Sequence, residues 1–139
     1  MPRSERYELR SIRSGSTGSE LYVSFGLSSP LERWDAFHIV CAKKVDDQDR
    51  ELGMNTIYLE RFDQAYSCYK GASSIRVSQR QVDLHLTKTG AKALDFKPLL
   101  QFVLPPQLAG VRKALTVFKR MPRYECGRLV QVLTRRSRR

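Results

Sequence analysis

The acidic residues ahead of Gly53 are the first candidates for chemistry. Residues 46–61 read DDQDRELGMNTIYLER, with an acidic side chain at every second position from 47 to 51. The first ligands of a calcium-binding EF-hand loop have that spacing. However, Gly53 falls one position late for the sharp turn of such a loop, and Tyr58 stands where a bidentate glutamate should complete the ligand shell. The sequence therefore favours a solvated turn and predicts no calcium site.

Histidine and cysteine spacing raises the question of zinc. His38 and Cys41 form an H-x-x-C pair, but residues three apart on a strand point to opposite faces of the sheet and cannot share a metal. Cys68 and His85 have no metal-binding spacing. The three cysteines, which include Cys126, are too few and too irregular for a disulfide framework. We predict free thiols and no metal site.

Motifs for catalysis and for cofactor binding are also missing from the sequence. There is no G-x-S-x-G elbow for a nucleophilic serine, and the two histidines lie in unrelated strand contexts. Gly15 and Gly18 lack the lysine and the following helix of a phosphate-binding loop. The sequence predicts a protein with no catalytic residues and no cofactor.

Charge is the strongest functional signal. The net charge is +11, and residues 101–139 contain ten basic side chains against the single acid Glu125. Such asymmetry indicates an anionic partner, either nucleic acid or an acidic protein surface. A solvated helix face followed by a basic tail is the alternative interpretation.

Seven residues are candidates for contact with a partner. Some are basic residues on the face of an expected helix, and the others lie in a tyrosine-rich stretch around Cys68. The tyrosines could stack on a ligand, or they could line the rim of the core. The candidates are Tyr66, Tyr69, Lys70, Arg112, Lys113, Lys119 and Arg120.

Strands must position these residues through most of the chain. Leu21, Val23, Phe25 and Leu27 alternate with small or polar residues, which is typical of a strand with one buried face. We expect loops at 14–19 and 28–30. Strands are predicted at 7–12, 21–27, 37–42, 55–61, 74–79, 82–87 and 99–104, and 129–133 is either an edge strand or a loose appendage.

One good helix comes late. Residues 107–120 place Leu108, Val111, Leu115 and Phe118 on one stripe, after two prolines that end the preceding strand. A short helical turn is expected at 87–94. These elements predict an α+β fold, a mostly antiparallel sheet with one long C-terminal amphipathic helix packed on one face. We expect a single domain over 1–134 and a disordered basic tail at 135–139.

The acidic stretch also carries a family resemblance. Residues 49–60 read DRELGMNTIYLE, residues 66–71 read YSCYKG, and a hairpin opens at Ser74. This order resembles the immunity protein 10 family of bacterial polymorphic-toxin systems, over roughly residues 21–121. The resemblance implies a small cytoplasmic protein that binds a cognate toxin and blocks it by occlusion, without an active site.

In that interpretation the residues around Gly53 are structural. Gly53 would let the chain turn at positive φ, Leu52 and Met54 would anchor it in the core, and the acids would stay in water. A basic inhibitor suits an acidic toxin surface. A small nucleic-acid-binding module, which uses the basic helix and the arginine tail, is the alternative function. The sequence predicts no membrane span, because its apolar runs are short.

Overall fold

The fold is that of a computed structural model, which describes residues 4–27, 35–62 and 65–133. The loop expected at 28–30 and the tail expected at 135–139 lie outside the described residues, as does the proposed domain boundary at 134.

The described residues form nine strands, three α-helices and two 3-10 turns. In chain order these are β1 Ser4–Ser16, β2 Glu20–Leu27, β3 Asp35–Ala42, α1 Asp47–Glu51, β4 Tyr58–Arg61, β5 Ser67–Tyr69, β6 Ala72–Val77, β7 Gln81–Leu86, α2 Lys88–Leu94, β8 Leu99–Val103, α3 Val111–Arg120, the 3-10 turns Met121–Arg123 and Glu125–Gly127, and β9 Val130–Val132.

All nine strands belong to one sheet, in the order β5-β4-β3-β2-β1-β8-β7-β6-β9. The pairs β1/β8 and β6/β9 are parallel, and the other six pairs are antiparallel. The predicted sheet-rich, mostly antiparallel α+β fold is therefore confirmed. Residues 129–133 contribute an edge strand rather than a loose appendage.

Strand β1 joins the two halves of the sheet. Its first residues pair with β8 and its last residues pair with β2, with an irregular register between Leu9 and Ser11. Phe37 of β3 and Phe102 of β8 lie three strands apart, about 14 Å in a flat sheet. Their ring centroids are nevertheless 5.3 Å apart. The sheet therefore curls, and its concave face closes over one aromatic core.

Alternation along the strands decides which side chains enter that core. Leu21, Val23, Phe25 and Leu27 of β2 are each exposed by 1% or less, as the period of two predicts. Burial of each such side chain contributes about 1.5–3 kcal/mol. The alternate positions of β1 to β5 lie on the convex face, and they are mostly half-buried or exposed.

Helix α3 differs from its prediction in length and in its buried side. It begins at Val111 and has ten residues, so the prediction of a long helix from 107 is wrong. Gly110 has φ of +94°, and an α-helix cannot continue through that conformation.

The side of α3 that packs on β1, β2 and β9 buries Ala114, Val117 and Phe118. Of the predicted stripe only Phe118 is fully buried, while Leu108, Val111 and Leu115 remain half-buried. The packing of α3 on β1, β2 and β9 sets this difference, because it turns the side that carries Ala114 and Val117 inward and leaves the predicted stripe at the margin of the contact.

The acidic stretch is a short helix rather than a plain turn. Asp46 caps α1 by accepting from the backbone N–H of Asp49 at 2.8 Å, and the Asp49 carboxylate accepts from the N–H of Asp46 at 3.0 Å. The prediction of a solvated turn was wrong here, because Asp46 and Asp49 have the three-residue spacing of a capping box.

The three residues around Gly53 have different roles from one another. Gly53 has φ of +73°, so its predicted role as a turn-former is confirmed. Leu52 is 65% exposed and Met54 is only half-buried, so the prediction that both are core anchors is wrong. The chain leaves α1 on the outside of the molecule and enters the core only at Ile57, which is 1% exposed.

Two strand boundaries also differ from the predicted loops. Strand β1 runs on through Ser16, into the small polar stretch that was expected to be a loop. The tyrosine-rich stretch contains a three-residue strand, β5, beside β4. Pairing with a neighbouring strand stabilises short strand segments that periodicity alone does not indicate.

Candidate functional site

The seven predicted partner-binding residues do not form one surface. Tyr66, Tyr69 and Lys70 lie in or beside β5, which is the last strand at one end of the sheet. The four basic candidates lie on α3, which packs against β1, β2 and β9. The molecule therefore offers two candidate surfaces, one on the convex face of the sheet and one beside α3.

On the convex face, apolar and aromatic side chains follow one another across four strands. Cross-strand pairing aligns Tyr22 with Val40, Val40 with Tyr58, and Tyr58 with Tyr69. We call these four residues the tyrosine row. The rings of Tyr58 and Tyr69 are 5.1 Å apart. Tyr22 lies over Gly15 of β1, where an added Cβ would come within 2.7 Å of the tyrosine oxygen.

Several polar groups on this face already form hydrogen bonds with neighbouring side chains. The hydroxyl of Tyr58 donates to the Glu60 carboxylate at 2.8 Å, and a 2.7 Å hydrogen bond joins the Ser24 hydroxyl to Nδ1 of His38. Burial raises the pKa of both Tyr58 and Tyr69 above the ordinary value for a phenol. The row therefore presents neutral, mutually supported side chains.

The other two candidates in this region are held by local contacts. Tyr66 is 40% exposed, and its ring lies 5.8 Å from that of Phe62. The backbone N–H of Lys70 donates to the Thr56 hydroxyl at 2.9 Å. The side chain of Lys70 covers Gly53, where an added Cβ would lie 3.0 Å from Cε of the lysine.

The second surface is a groove of about 560 Å³ between α3 and the turn that joins β6 to β7. We call it the basic groove. It is lined by Gln79, Arg80, Pro106, Leu108, Gly110, Val111, Arg112, Leu115, Thr116 and Lys119. Two predicted basic residues, Arg112 and Lys119, belong to it, whereas Lys113 and Arg120 do not.

Helical spacing explains that division. Residues seven positions apart lie on nearly the same side of an α-helix, so Arg112 and Lys119 share one side. Lys113 and Arg120 share another, about 100° further round. The four residues were predicted to share one face because all of them lie off the apolar stripe, but residues off that stripe can lie on different sides of the helix.

Arg80 is a groove residue that sequence reasoning missed. It sits in the β6–β7 turn, where the Ser78 hydroxyl accepts hydrogen bonds from the backbone N–H of Arg80 and of Gln81. These bonds close a tight turn without glycine. The only signal for Arg80 was a basic residue in a predicted hairpin, and nothing in the sequence connects that hairpin with a helix thirty residues later.

The cations of the groove have no ionic partner among the described residues. Three ion pairs occur in that part of the chain, and they join Arg50 to Asp47, Arg50 to Glu125, and Arg61 to Asp35. None of the groove-lining side chains is acidic.

The N-terminus of α3 adds to the positive character of the groove. No side chain in the described part of the chain caps it, and its first turn contains no acid. Basic residues in a first turn oppose the helix dipole at a cost of about 0.3–1 kcal/mol each. Arg112 and Lys113 therefore occupy positions that helix stability alone disfavours.

A comparison with known families addresses function directly. The family model described as Immunity protein 10 matches residues 17–110, more than half of the chain. The chain belongs to the immunity protein 10 family. This confirms the predicted family, and neither the comparison with curated proteins nor that with solved structures gives a significant match.

The two surfaces of this immunity protein 10 member differ in how much of each lies within the family match. The whole tyrosine row lies inside residues 17–110. The groove crosses the boundary, since Arg80 and Leu108 lie inside the match while every residue of α3 lies beyond it.

The thiols and histidines of this family member have structural surroundings. Burial raises the pKa of Cys41 to about 12, and burial also raises the pKa of Cys68 and of Cys126. A thiol with a raised pKa is a poor nucleophile at neutral pH. The part of the chain that the structure describes contains no group of three or more metal-ligating side chains, and none of its helices is long and apolar enough to cross a membrane.

The buried pair of Asp35 and Arg61 is also structural. Their oxygen and nitrogen atoms are 3.3 Å apart, and the guanidinium of Arg61 lies 3.9 Å from the centre of the Phe96 ring. The same guanidinium donates to the backbone oxygens of Leu94 and Asp95 at 3.1 and 2.8 Å. Arg61 therefore fastens the end of α2 to the sheet.

Proposed function

We propose that this protein binds a cognate bacterial toxin and neutralises it by covering the toxin's working surface, with no catalytic step of its own. The observation that carries the proposal is the family match over residues 17–110. That segment includes β2 to β8, and therefore most of the curled sheet that would present a binding surface.

Charge supports an acidic partner surface. The net charge is +11, and opposite potentials on two partners raise the rate of encounter and help select the right partner. The raised pKa of the three thiols supports action by adhesion rather than by covalent chemistry.

The three free cysteines also support action in the cytoplasm. Free thiols persist in a reducing compartment, whereas oxidising compartments favour disulfides.

A titration of toxin activity tests both binding and the absence of catalysis. The probe is the purified C-terminal domain of the polymorphic toxin encoded directly upstream of this chain, assayed against increasing amounts of this protein. If the protein acts by occlusion, toxin activity should fall linearly as the protein is added. The fall should end at a fixed molar ratio of protein to toxin. Full inactivation by a small fraction of an equivalent would show turnover. No inhibition at excess, with an unrelated protein of equal net charge as control, would refute the proposed function.

A nucleic-acid-binding module is the second candidate, and the unpaired cations of the groove favour it. Phosphate contacts make affinity fall steeply with salt. Tight binding of short duplex DNA or RNA that collapses between 50 and 200 mM salt (roughly the range in which several phosphate contacts are lost), and that disappears when residues 135–139 are deleted, would support this candidate over the first.

A further inference from the structure

Apolar side chains in the basic groove are only partly covered by the rest of the described chain, because they pack against the edge of the core. Leu108, Val111 and Leu115 have the spacing of a core stripe, yet the structure leaves all three half-buried as lining of an open groove. The inward side of α3 is already filled by Ala114, Val117 and Phe118. These three apolar residues are therefore available to a side chain from outside.

Cations border the same apolar floor. Arg80 reaches the groove from the β6–β7 turn, while Arg112 and Lys119 reach it from α3. All three residues are exposed or at the surface, and none has an ion pair in the described part of the chain. An apolar floor with three unneutralised cations complements a segment that carries both carboxylates and an apolar side chain.

We propose that the basic groove is the docking site for an acidic segment of the cognate toxin. An apolar side chain of that segment lies among Leu108, Val111 and Leu115, and neighbouring carboxylates pair with the three cations. This inference rests on the proposed function and adds to it the surface of contact and the chemistry of the partner segment.

The shape and lining of the groove favour a peptide over a nucleic acid. The groove of about 560 Å³ combines an apolar floor with basic side chains. No aromatic side chain lines it, although single-stranded nucleic acids are commonly held by stacking on aromatic rings. A phosphate backbone would use the cations but would leave the apolar floor uncovered.

The position of the groove relative to the family match also fits partner selection. The helical wall begins at Val111, directly after the matched segment ends. Specificity between related partners depends on differences in local contacts and charges. A wall outside the matched scaffold can differ between family members without changing the sheet.

A pair of charge-reversal variants tests the proposal. The groove variant is Arg112→Glu with Lys119→Glu, and the matched control is Lys113→Glu with Arg120→Glu. Both change the net charge equally, both alter the first and last turns of α3, and only the first alters the groove. In both variants the acid in the first turn favours the helix dipole and the acid in the last turn opposes it, so the two effects offset each other equally and neither variant is expected to unfold α3. Equal melting temperatures will verify this.

Binding of the upstream-encoded toxin domain is measured by titration calorimetry. We expect the groove variant to lose roughly 100-fold or more in affinity, because like charges then face each other at the contact. The control should lose less than about 10-fold, since it changes only the long-range field. Leu115→Ala should lose roughly 10-fold through the lost apolar contact.

Three results would overturn the inference. Equal losses of affinity in the two charge-reversal variants would show that binding depends on overall charge and not on the groove. Unchanged affinity in the groove variant, with wild-type binding intact, would place the contact elsewhere and leave the proposed function standing. Loss of duplex DNA or RNA binding in the groove variant, with toxin binding unchanged, would assign the groove to nucleic acid. If the wild-type protein does not bind the toxin domain, the proposed function itself fails.

Discussion

The tyrosine row and the basic groove are both accessible. They differ in how many of their side chains already have partners within the protein. In the row, Tyr58 donates to Glu60 and packs on Tyr69, while Tyr22 covers Gly15. In the groove, cations that have no ionic partner among the described residues stand beside half-buried apolar side chains. Residue type alone would favour the tyrosines as binding residues, since aromatic side chains are common in interface hot spots. The local contacts favour the groove instead, because its interactions are still to be made.

The largest effect is expected when substitutions on the two sides of α3 are compared, one in the core and one in the groove. Phe118→Ala removes a fully buried ring and should lower the free energy of unfolding by about 3–5 kcal/mol. Leu115→Ala, on the groove side, should cost less than about 1 kcal/mol, because that side chain is only partly removed from water. Urea denaturation of both variants measures the difference. Similar losses would mean that the groove floor belongs to the core and is not kept for a partner.

A substitution at Gly53 tests whether the region around Lys70 has a structural role. Gly53→Ala forces an alanine to φ of +73° and pushes its Cβ against Lys70, so we expect a loss of about 1–2 kcal/mol in stability. Gly18→Ala is the matched control, since nothing lies within 4 Å of the added carbon. Thermal unfolding compares the two. A melting temperature for Gly53→Ala that equals that of the control would contradict the strain argument.

Tyr58 tests whether the tyrosine row is satisfied from within. Tyr58→Phe keeps the ring and removes the hydrogen bond to Glu60, which should cost about 0.5–1.5 kcal/mol of stability. The affinity for the toxin domain should change by less than about 3-fold, since the proposed contact lies in the groove. A large loss of affinity with unchanged stability would move the binding surface to the row.

The ion pair between Arg50 and Glu125 joins the family-matched segment to the C-terminal segment. Its loss should have the smallest effect on stability. Hydrogen bonds from Arg50 and Asn55 lower the pKa of Glu125 from 4.5 to about 2. The folded state therefore favours the charged carboxylate, and this contribution to stability is present above about pH 4.5 and is lost as the pH falls through 2.

Glu125→Gln should therefore be less stable than the wild type at pH 6, and the difference should shrink progressively towards pH 2. Urea denaturation at pH 6, 4 and 2 measures it. A difference that is constant across this range would mean that the charge of Glu125 does not hold the two segments together.

Period-two alternation explains why most of the sheet could be predicted. One face of each strand had to be buried, so Leu21, Val23 and Phe25 marked β2 correctly. Strand β5 was missed because three residues are too few to show a period of two, and it is stabilised by pairing with β4. The helical periodicity near Val111 was real, but only Phe118 of the predicted stripe is fully buried, since the side of α3 that meets the sheet is set by tertiary packing.

The sequence by itself determined the strand pattern, the free thiols, the excess of positive charge and the family, because each is a property of residue type, order or short spacing. Only the tertiary structure decided which cations act together. Arg80 and Lys119 are distant in the chain, and they meet because the curled sheet brings the β6–β7 turn beside α3. Local periodicity specified the buried face of the strands, whereas the buried side of α3 and the contacts between elements depend on how the sheet curls and how the helix packs on it.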